Sequence, residues 1–193
     1  MASEYHSYRA LIVSASAKFA AEIGSLLAAE HFRTDCSHNA AQARRMLLED
    51  PYDFVLINAG LTDEFGSRLS IDSSSRSGTI AVLFVAADVY EQIVSKTAIS
   101  GVFVIRKPVS RTVINQSLSL LISARERLRV AETTADRARS KLDELRLVNR
   151  AKWLLIENEH RTENDAHRLL EKSAMDAGIT KRQAAQIIIE KYS

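Results

Sequence analysis

The segment DFVLINAGLTDEFG, residues 53–66, decides the fold because it contains an apolar run that passes into a polar loop. A short apolar run bounded by loop residues is typical of a strand buried on both faces of a parallel sheet. Proteins with such sheets place their reactive groups beyond the carboxyl ends of the strands. Here that end carries a neutral amide, Asn58, while Asp63 and Glu64 lie further along the loop.

The same pattern recurs along the first half of the chain. Further strands are predicted at ALIVSAS (10–16), RTDCSH (33–38), TIAVLFVAA (79–87) and GVFVIRK (101–107), and helices at 17–32, 39–50 and 88–99, with Asn39 as an N-cap. Five strands separated by helix-length segments predict an α/β fold with a doubly wound, five-stranded parallel sheet. The serine-rich SIDSSSRSG (70–78) breaks this alternation and is predicted to be a loop.

Composition excludes several classes of protein. The 193 residues are 46% hydrophobic, which is ordinary for a globular chain, and Cys36 is the only cysteine, so no disulfide framework or thiolate metal cluster is expected. No apolar run approaches the roughly 20 residues of a membrane span, and no signal peptide precedes the first strand. We therefore expect a soluble cytoplasmic protein without membrane contact, cofactor or metal. The net charge of +2 points to no particular partner.

The second half has a helical period throughout. Neither proline nor glycine occurs between Pro108 and Gly178. Apolar residues recur at steps of three and four at Leu121, Ala124, Leu128, Ala131, Ala135, Ala138, Leu142 and Leu145. This heptad seam predicts a coiled coil and a homodimer, with Leu121, Leu128, Leu142 and Leu145 as dimerisation residues. The alternative is a helix that folds back on its own first domain. Capping boxes at TEND (162–165) and TKRQ (180–183) predict two further helices, 163–177 and 181–192.

With the RKP at 106–108, residues 8–121 resemble the receiver domain of bacterial response regulators, which has a flavodoxin-like fold. The resemblance implies that the acidic pair falls on Ser14 and Ala15, the phosphoacceptor on Asn58 and the hydroxyl position on Ala86, whereas Lys107 and Pro108 match. An amide cannot supply the carboxylate nucleophile, and the Mg²⁺ ligands are missing with it. This half is therefore predicted to be a pseudo-receiver that is not phosphorylated. Lys107 is expected to bind Asn58 or a strand-end carbonyl, and the Lys107–Pro108 bond to be cis.

Residues 140–193 resemble the ANTAR domain, a three-helix RNA-binding module of transcription antitermination. The segments RLVNRAKWLLIENE (146–159), TENDAHRLLEKSAMDAG (162–178) and RQAAQIII (182–189) carry the resemblance. Trp153, His167 and Glu171 depart from the family pattern. Trp153 is expected in the core, with a stacking platform as the alternative. The predicted RNA-binding residues are Arg150, Ala151, Lys152, Ala166, His167, Arg168, Lys172, Lys181 and Arg182. The implied targets are RNA hairpins in leader transcripts, bound by a dimer.

Together these features predict a pseudo-receiver at 1–120, a coiled-coil linker at 121–145 and an ANTAR domain at 146–193. The pseudo-receiver is expected to supply dimer contacts or to dock a regulatory protein. Two alternatives remain: an adaptor that kept the ANTAR shape but lost RNA binding, and a phosphorylation-controlled response regulator of a two-component system. Enzymatic activity is not expected, because the sequence contains no nucleophile–base pair, metal cluster or phosphate-binding glycine loop.

Overall fold

The computed structural model describes residues 7–76 and 78–192. The chain divides into two compact units, Met1–Val130 and Ala131–Ser193. Residues 1–6 of the predicted first domain lie outside the described residues. The predicted linker at 121–145 is not an element of its own, since one helix runs from Arg111 to Glu159.

The first unit is built on five parallel strands. They are β1 (Arg9–Val13), β2 (Arg33–Ser37), β3 (Phe54–Asn58), β4 (Ile80–Ala86) and β5 (Phe103–Lys107). Their order in the sheet is β2-β1-β3-β4-β5, the flavodoxin-like order. The predicted sheet is confirmed. Its register places Ala86 directly opposite Lys107, so these two predicted site residues are neighbours at the carboxyl edge.

Five helices and one 3₁₀ turn follow the strands. They are α1 (Ala17–Ala29), α2 (Ala40–Glu49), α3 (Ser67–Ser74), α4 (Tyr90–Thr97), the 3₁₀ turn Ala98–Ser100, and α5 (Arg111–Glu159). Asn39 caps α2 as predicted, since its side chain accepts a hydrogen bond from Gln42 N. Ser16 caps α1 in the same way through Phe19 N.

The sheet is buried on both faces, and the two-residue period of its strands sorts their side chains between two cores. Ile12 and Phe54 belong to the core that also contains the inward face of α1 and the start of α5. Leu11 and Val55 belong to the opposite core, together with the inward faces of α2 and α4. This double burial accounts for strands that are almost continuously apolar.

The predicted loop at 70–78 is wrong, because its first half forms the end of helix α3. The hydroxyls of Ser73 and Ser74 donate to the carbonyls of Leu69 and Ile71, three or four residues earlier, so the serines bond within the helix. Leu69 and Ser73 are buried, and packing of this face overrides the weak helix propensity of serine. Ser77 of the predicted loop lies outside the described residues.

The second unit is a three-helix module. The remainder of α5 is followed by α6 (Glu163–Asp176) and α7 (Lys181–Tyr192). Thr162 accepts from Asp165 N, and Thr180 and Gln183 bond reciprocally through Thr180 N and Gln183 N, so both predicted N-caps are confirmed. The core of this unit consists of Val148, Ala151, Leu155, Ala166, Leu170, Ala185, Ile188 and Ile189.

The predicted seam on α5 is not uniform along its length. Leu142 and Leu145 are 57% and 50% exposed, and Leu128 is 38% exposed. Leu121, in contrast, is only 4% exposed and packs in the core beneath the sheet of its own unit, where Ala124 also contacts it. The prediction of Leu121 as a dimerisation residue is therefore corrected, because at this position the helix folds back on its own domain. No helix within 7–76 and 78–192 has the length and apolar character of a membrane span.

Leu121→Ala should destabilise the first unit by about 2–4 kcal/mol, because it removes buried methyl groups and leaves a cavity. Leu120→Ala is the matched control, since that neighbouring side chain is 73% exposed and should cost less than about 0.5 kcal/mol. Urea unfolding followed by circular dichroism measures both. Equal effects of the two variants would contradict the burial of Leu121.

Candidate functional site

The carboxyl edge of the sheet gathers the side chains that stand where a receiver keeps its phosphorylation chemistry. Lys107 Nζ donates to Asn58 Oδ1 at 2.6 Å, and Asn58 Nδ2 donates to Ser14 Oγ at 3.1 Å. Ser14 Oγ in turn accepts from Ser16 N at 3.0 Å, at the start of α1. Lys107, Asn58 and Ser14 are thereby linked by hydrogen bonds, and the ammonium of Lys107 is bonded to a neutral amide. The predicted contact of Lys107 with Asn58 and the cis Lys107–Pro108 bond are both confirmed.

The ammonium of Lys107 gives this edge of the sheet a positive charge. Burial lowers the pKa of Lys107, because a desolvated ammonium is less stable in its charged form. In the part of the chain that the structure describes, no carboxylate lies within ion-pair distance of Lys107, and no cluster of three metal-binding side chains is present. The predicted pocket residues Ser14, Asn58, Ala86 and Lys107 therefore lie together, but they present an ammonium group and no acid.

Asp63 caps a helix, a role that the sequence did not predict. Its two oxygens accept from Ala40 N and Ala41 N, each at 2.9 Å, at the first turn of α2. These bonds hold the pKa of Asp63 below its usual range. The carboxylate completes the N-terminal cap that Asn39 begins, since it satisfies two amides that have no partner within the helix. Asp63 is thus a structural acid.

Glu64 is engaged in the same way at the next helix. It accepts from Leu69 N in the first turn of α3 at 3.0 Å, and it pairs with Arg44 at 2.7 Å. The hydrogen bond to Glu64 raises the pKa of the Arg44 guanidinium above its usual value. The loop after β3 therefore uses both of its acids, Asp63 and Glu64, to bind the first turns of α2 and α3. Among the described contacts, neither acid pairs with Lys107.

The second candidate site is the polar surface of the three-helix module. Arg150, His167, Arg168, Lys172, Lys181 and Arg182 are exposed on it, and Lys152 is half-buried. Arg168 and Lys172 lie four residues apart on α6, so they share one face. The buried Ala166, Leu170 and Ala174 mark the opposite face. This surface is available to a charged partner.

Two predictions about apolar residues in this module are corrected. Ala151 and Ala166 are fully buried in the three-helix core, so they bring the helices together and cannot touch RNA. Trp153 was expected in the core, yet it is 70% exposed. The core face of α5 is set by Val148, Ala151 and Leu155, and position 153 lies about 200° from 151 on a helical wheel. The helical periodicity of α5 could therefore have predicted from sequence that Trp153 is exposed.

Glu171 binds two of the predicted RNA-contacting side chains. Lys181 Nζ lies 2.6 Å from Glu171 Oε1, and His167 Nε2 lies 3.3 Å from the same oxygen. The hydrogen bond from Lys181 holds the pKa of Glu171 below its usual value. Lys152 is likewise paired with Glu163 at 3.0 Å. Arg168 and Lys172, in contrast, have no ion pair within the described ranges, so their charge is available.

A network that the sequence did not predict joins the end of α5 to α7. The Tyr192 hydroxyl donates to Glu159, Arg161 pairs with Glu159 at 2.7 Å, and Lys191 approaches it to 3.6 Å. The tyrosine and the arginine lower the pKa of Glu159 to about 2. The carboxylate is therefore ionised at any physiological pH. No local spacing signals the contact between Glu159 and Tyr192, since the two residues are 33 positions apart in the sequence.

Comparisons with known proteins agree with this geometry. Residues 136–189 match the ANTAR domain family. The match includes α6 and most of α7, together with the last part of α5. These residues of the second unit are thus similar to the ANTAR domain family. A search of the curated proteins found no significant match.

Solved structures similar to the first unit are receiver domains. The signal receiver domain of an HD domain-containing protein from Pseudomonas fluorescens Pf-5 has 18% identity and a TM-score of 0.59, over 67% of this chain and 96% of that one. A CheY-like receiver from Methanospirillum hungatei JF-1 has 17% identity and a TM-score of 0.57, over 63% and 98%. NtrX from Brucella abortus has 14% identity and a TM-score of 0.57, over 68% and 29%. The first unit has the receiver fold.

Asp63→Ala should lower the thermal midpoint by a few degrees, because two amides of α2 lose their acceptor. The folded-state pKa of Asp63 is depressed, so its contribution is present above the unfolded pKa of about 4 and is lost as pH falls through the folded value. The difference between wild type and variant should therefore shrink in acid. Thermal melts across this range measure it, with the exposed neighbour Thr62→Ala as the control.

The same role of Asp63 can be checked chemically. Incubation of the full chain with acetyl phosphate, followed by intact mass and peptide mapping, should show no phosphoryl adduct on the loop after β3. A stoichiometric adduct on Asp63 would contradict its assignment as a helix cap.

Proposed function

We propose that this protein is a dimeric RNA-binding regulator of transcription antitermination, whose pseudo-receiver is not phosphorylated on aspartate. The observation that carries the proposal is the ANTAR match at residues 136–189. The RNA-binding role implied by that resemblance requires a surface that captures hairpin loops in leader transcripts. Such a regulator acts by binding, with no catalytic step, and it works in the cytoplasm where transcripts are made.

The surface of α6 supports contact with RNA. Arg168 and Lys172 present two uncompensated cations on one face, and Arg150 on α5 is exposed as well. Cations neutralise backbone phosphates, and arginine also stacks on unpaired bases. The exposed indole of Trp153 adds an aromatic surface of the kind on which loop bases stack. Arg150 and Trp153 lie three residues apart on α5, and an exposed cation beside an aromatic group suits a looped single strand better than a regular duplex.

Dimerisation is supported by the exposed leucines of α5 in the second unit. Leu142 and Leu145 are at least half exposed, and Asn149 follows at the next position of the same seam. Apolar side chains at heptad spacing bury their surface when a second helix packs against them. Two ANTAR domains in one dimer would bind paired hairpins with a raised effective concentration.

The pseudo-receiver assignment is supported by the chemistry of the strand ends. Asn58 and Ser14 replace the acids that hold Mg²⁺ and accept phosphate, and Lys107 is bonded to the amide. The nearby acids, Asp63 and Glu64, are bonded to the amides of α2 and α3. A receiver fold of this composition provides packing surface and a docking site for a regulatory protein.

One observation favours a second candidate function, a protein-interaction adaptor that does not bind RNA. Glu171 neutralises Lys181 and lies close to His167, so part of the expected RNA surface carries less positive charge. If the remaining cations are too few, the domain would keep its shape without affinity for RNA.

Arg168→Ala should weaken RNA binding several-fold and lower the salt slope by about 0.7, because one phosphate contact is lost. Gel shifts at several salt concentrations measure this, with a pool of tandem stem–loops whose loops are randomised. Arg127→Ala removes the same charge from an exposed position in the first unit and should leave affinity unchanged. If the wild-type chain binds no stem–loop from this pool, the adaptor function is favoured.

Glu171→Gln tests how much the acid restrains the surface. The amide keeps the shape of the side chain but releases Lys181 and His167 from a negative charge. We expect RNA affinity to rise about two- to fivefold, since one repulsive charge is removed. A decrease in affinity would show that Glu171 itself contacts the RNA.

Leu142→Asp combined with Leu145→Asp should convert the dimer to monomers, because two charges would be buried in the seam. Sedimentation velocity measures the mass. The control is Glu144→Asp, a conservative change between the two leucines. A dimer that survives the double substitution would remove this seam from the interface.

A further inference from the structure

The first unit contains a cavity that the proposed function does not use. Its volume is about 810 Å³, within the range of sites for small organic molecules. Its walls are formed by α1, the residues that follow β5 and the first turn of α5, and it opens to solvent. Its apolar wall is formed by Phe19, Ile23, Leu26, Pro108, Val109 and Ile114. All of these residues belong to the first unit.

The polar part of this cavity is dominated by two cations. Lys107 and Arg111 line it, against a single acid, Glu22. The ammonium of Lys107 has three donors, and Asn58 is the one acceptor that the structure gives it. Arg111 is exposed, and within residues 7–76 and 78–192 no carboxylate pairs with it. Both side chains thus retain donors for a ligand.

The cavity gains open volume where Ala86 stands at the position of the receiver's hydroxyl-bearing residue. Ala86 also lines the cavity, directly opposite Lys107 in the β4–β5 register. A methyl group there occupies less space than a hydroxyl-bearing threonine and binds no anion itself. The cation of Lys107 is therefore left beside open volume that continues into an apolar wall. The first turn of α5, whose amides favour negative charge, borders it as well.

We propose that this cavity binds a small amphiphilic anion, an organic acid whose apolar body packs against Phe19, Ile23 and Ile114. Its carboxylate lies between Lys107 and Arg111. Arginine binds carboxylates through two parallel hydrogen bonds, and charge-assisted bonds of this kind are about twice as strong as neutral ones. The apolar wall selects a body of several carbons over a bare inorganic anion, because burial of that body contributes most of the affinity.

Isothermal titration of the full chain with octanoate tests the proposal, with octanamide as the neutral analogue and octyl phosphate as the alternative head group. Octanoate should bind saturably at one site per chain, and octanamide at least tenfold more weakly. Tighter binding of octyl phosphate than octanoate would overturn the assignment of a carboxylate ligand. Absence of saturable binding, or equal affinity for octanoate and octanamide, would overturn the site altogether.

Variants locate the site. Lys107→Met and Arg111→Met should each weaken octanoate at least tenfold, and Ser25→Trp, at an exposed position on the lining, should abolish binding by filling the cavity. Arg106→Met is the matched control, because adjacent strand residues point to opposite faces. Arg111 is exposed, so its variant gives a result even if Lys107→Met does not fold. Equal weakening by Arg106→Met, or unchanged affinity in both Arg111→Met and Ser25→Trp, would contradict the assignment.

Discussion

Burial of one parallel sheet on both of its faces is the constraint on which the first unit depends. The central strands are almost inaccessible to solvent, so their side chains can only be apolar, and helices must cover both sides. The polar groups are displaced to the carboxyl edge, where Ser14, Asn58 and Lys107 meet. Their hydrogen bonds follow from this gathering of strand ends. The chemistry of the edge then depends on which residues occupy it. Here Lys107 donates to Asn58 and Asn58 donates to Ser14, so the one cation is bonded to neutral side chains.

Features that rest on local spacing could be predicted from sequence. The five strands, the N-cap of α2 and the N-caps of α6 and α7 are set by a few neighbouring residues. The contact of Lys107 with Asn58 was also predictable, since parallel strands bring their carboxyl ends together. Features that rest on tertiary packing were not. Helix α3 has little intrinsic propensity, and the burial of Leu69 and Ser73 stabilises it.

Leu121 and Trp153 show two different limits of the same helical pattern. Apolar residues recur at steps of three and four whether the seam packs against a second chain or against the same chain. The spacing therefore could not show that Leu121 packs in the core of its own unit. Trp153 is exposed because its position on the helical wheel lies away from the core face of α5. Charges in the ANTAR domain were similarly ambiguous. The sequence identified Lys181 and His167 as contacts for RNA, but only the fold shows that the carboxylate of Glu171 lies close to both.

The exposed indole has a practical consequence. Trp153 is the single tryptophan among the 193 residues, so light absorbed beyond the tyrosine edge excites one position in the whole molecule. That position stands in the open on α5 of the second unit, and its emission responds to whatever approaches the surrounding surface. The protein therefore carries an intrinsic fluorescent reporter in its second unit.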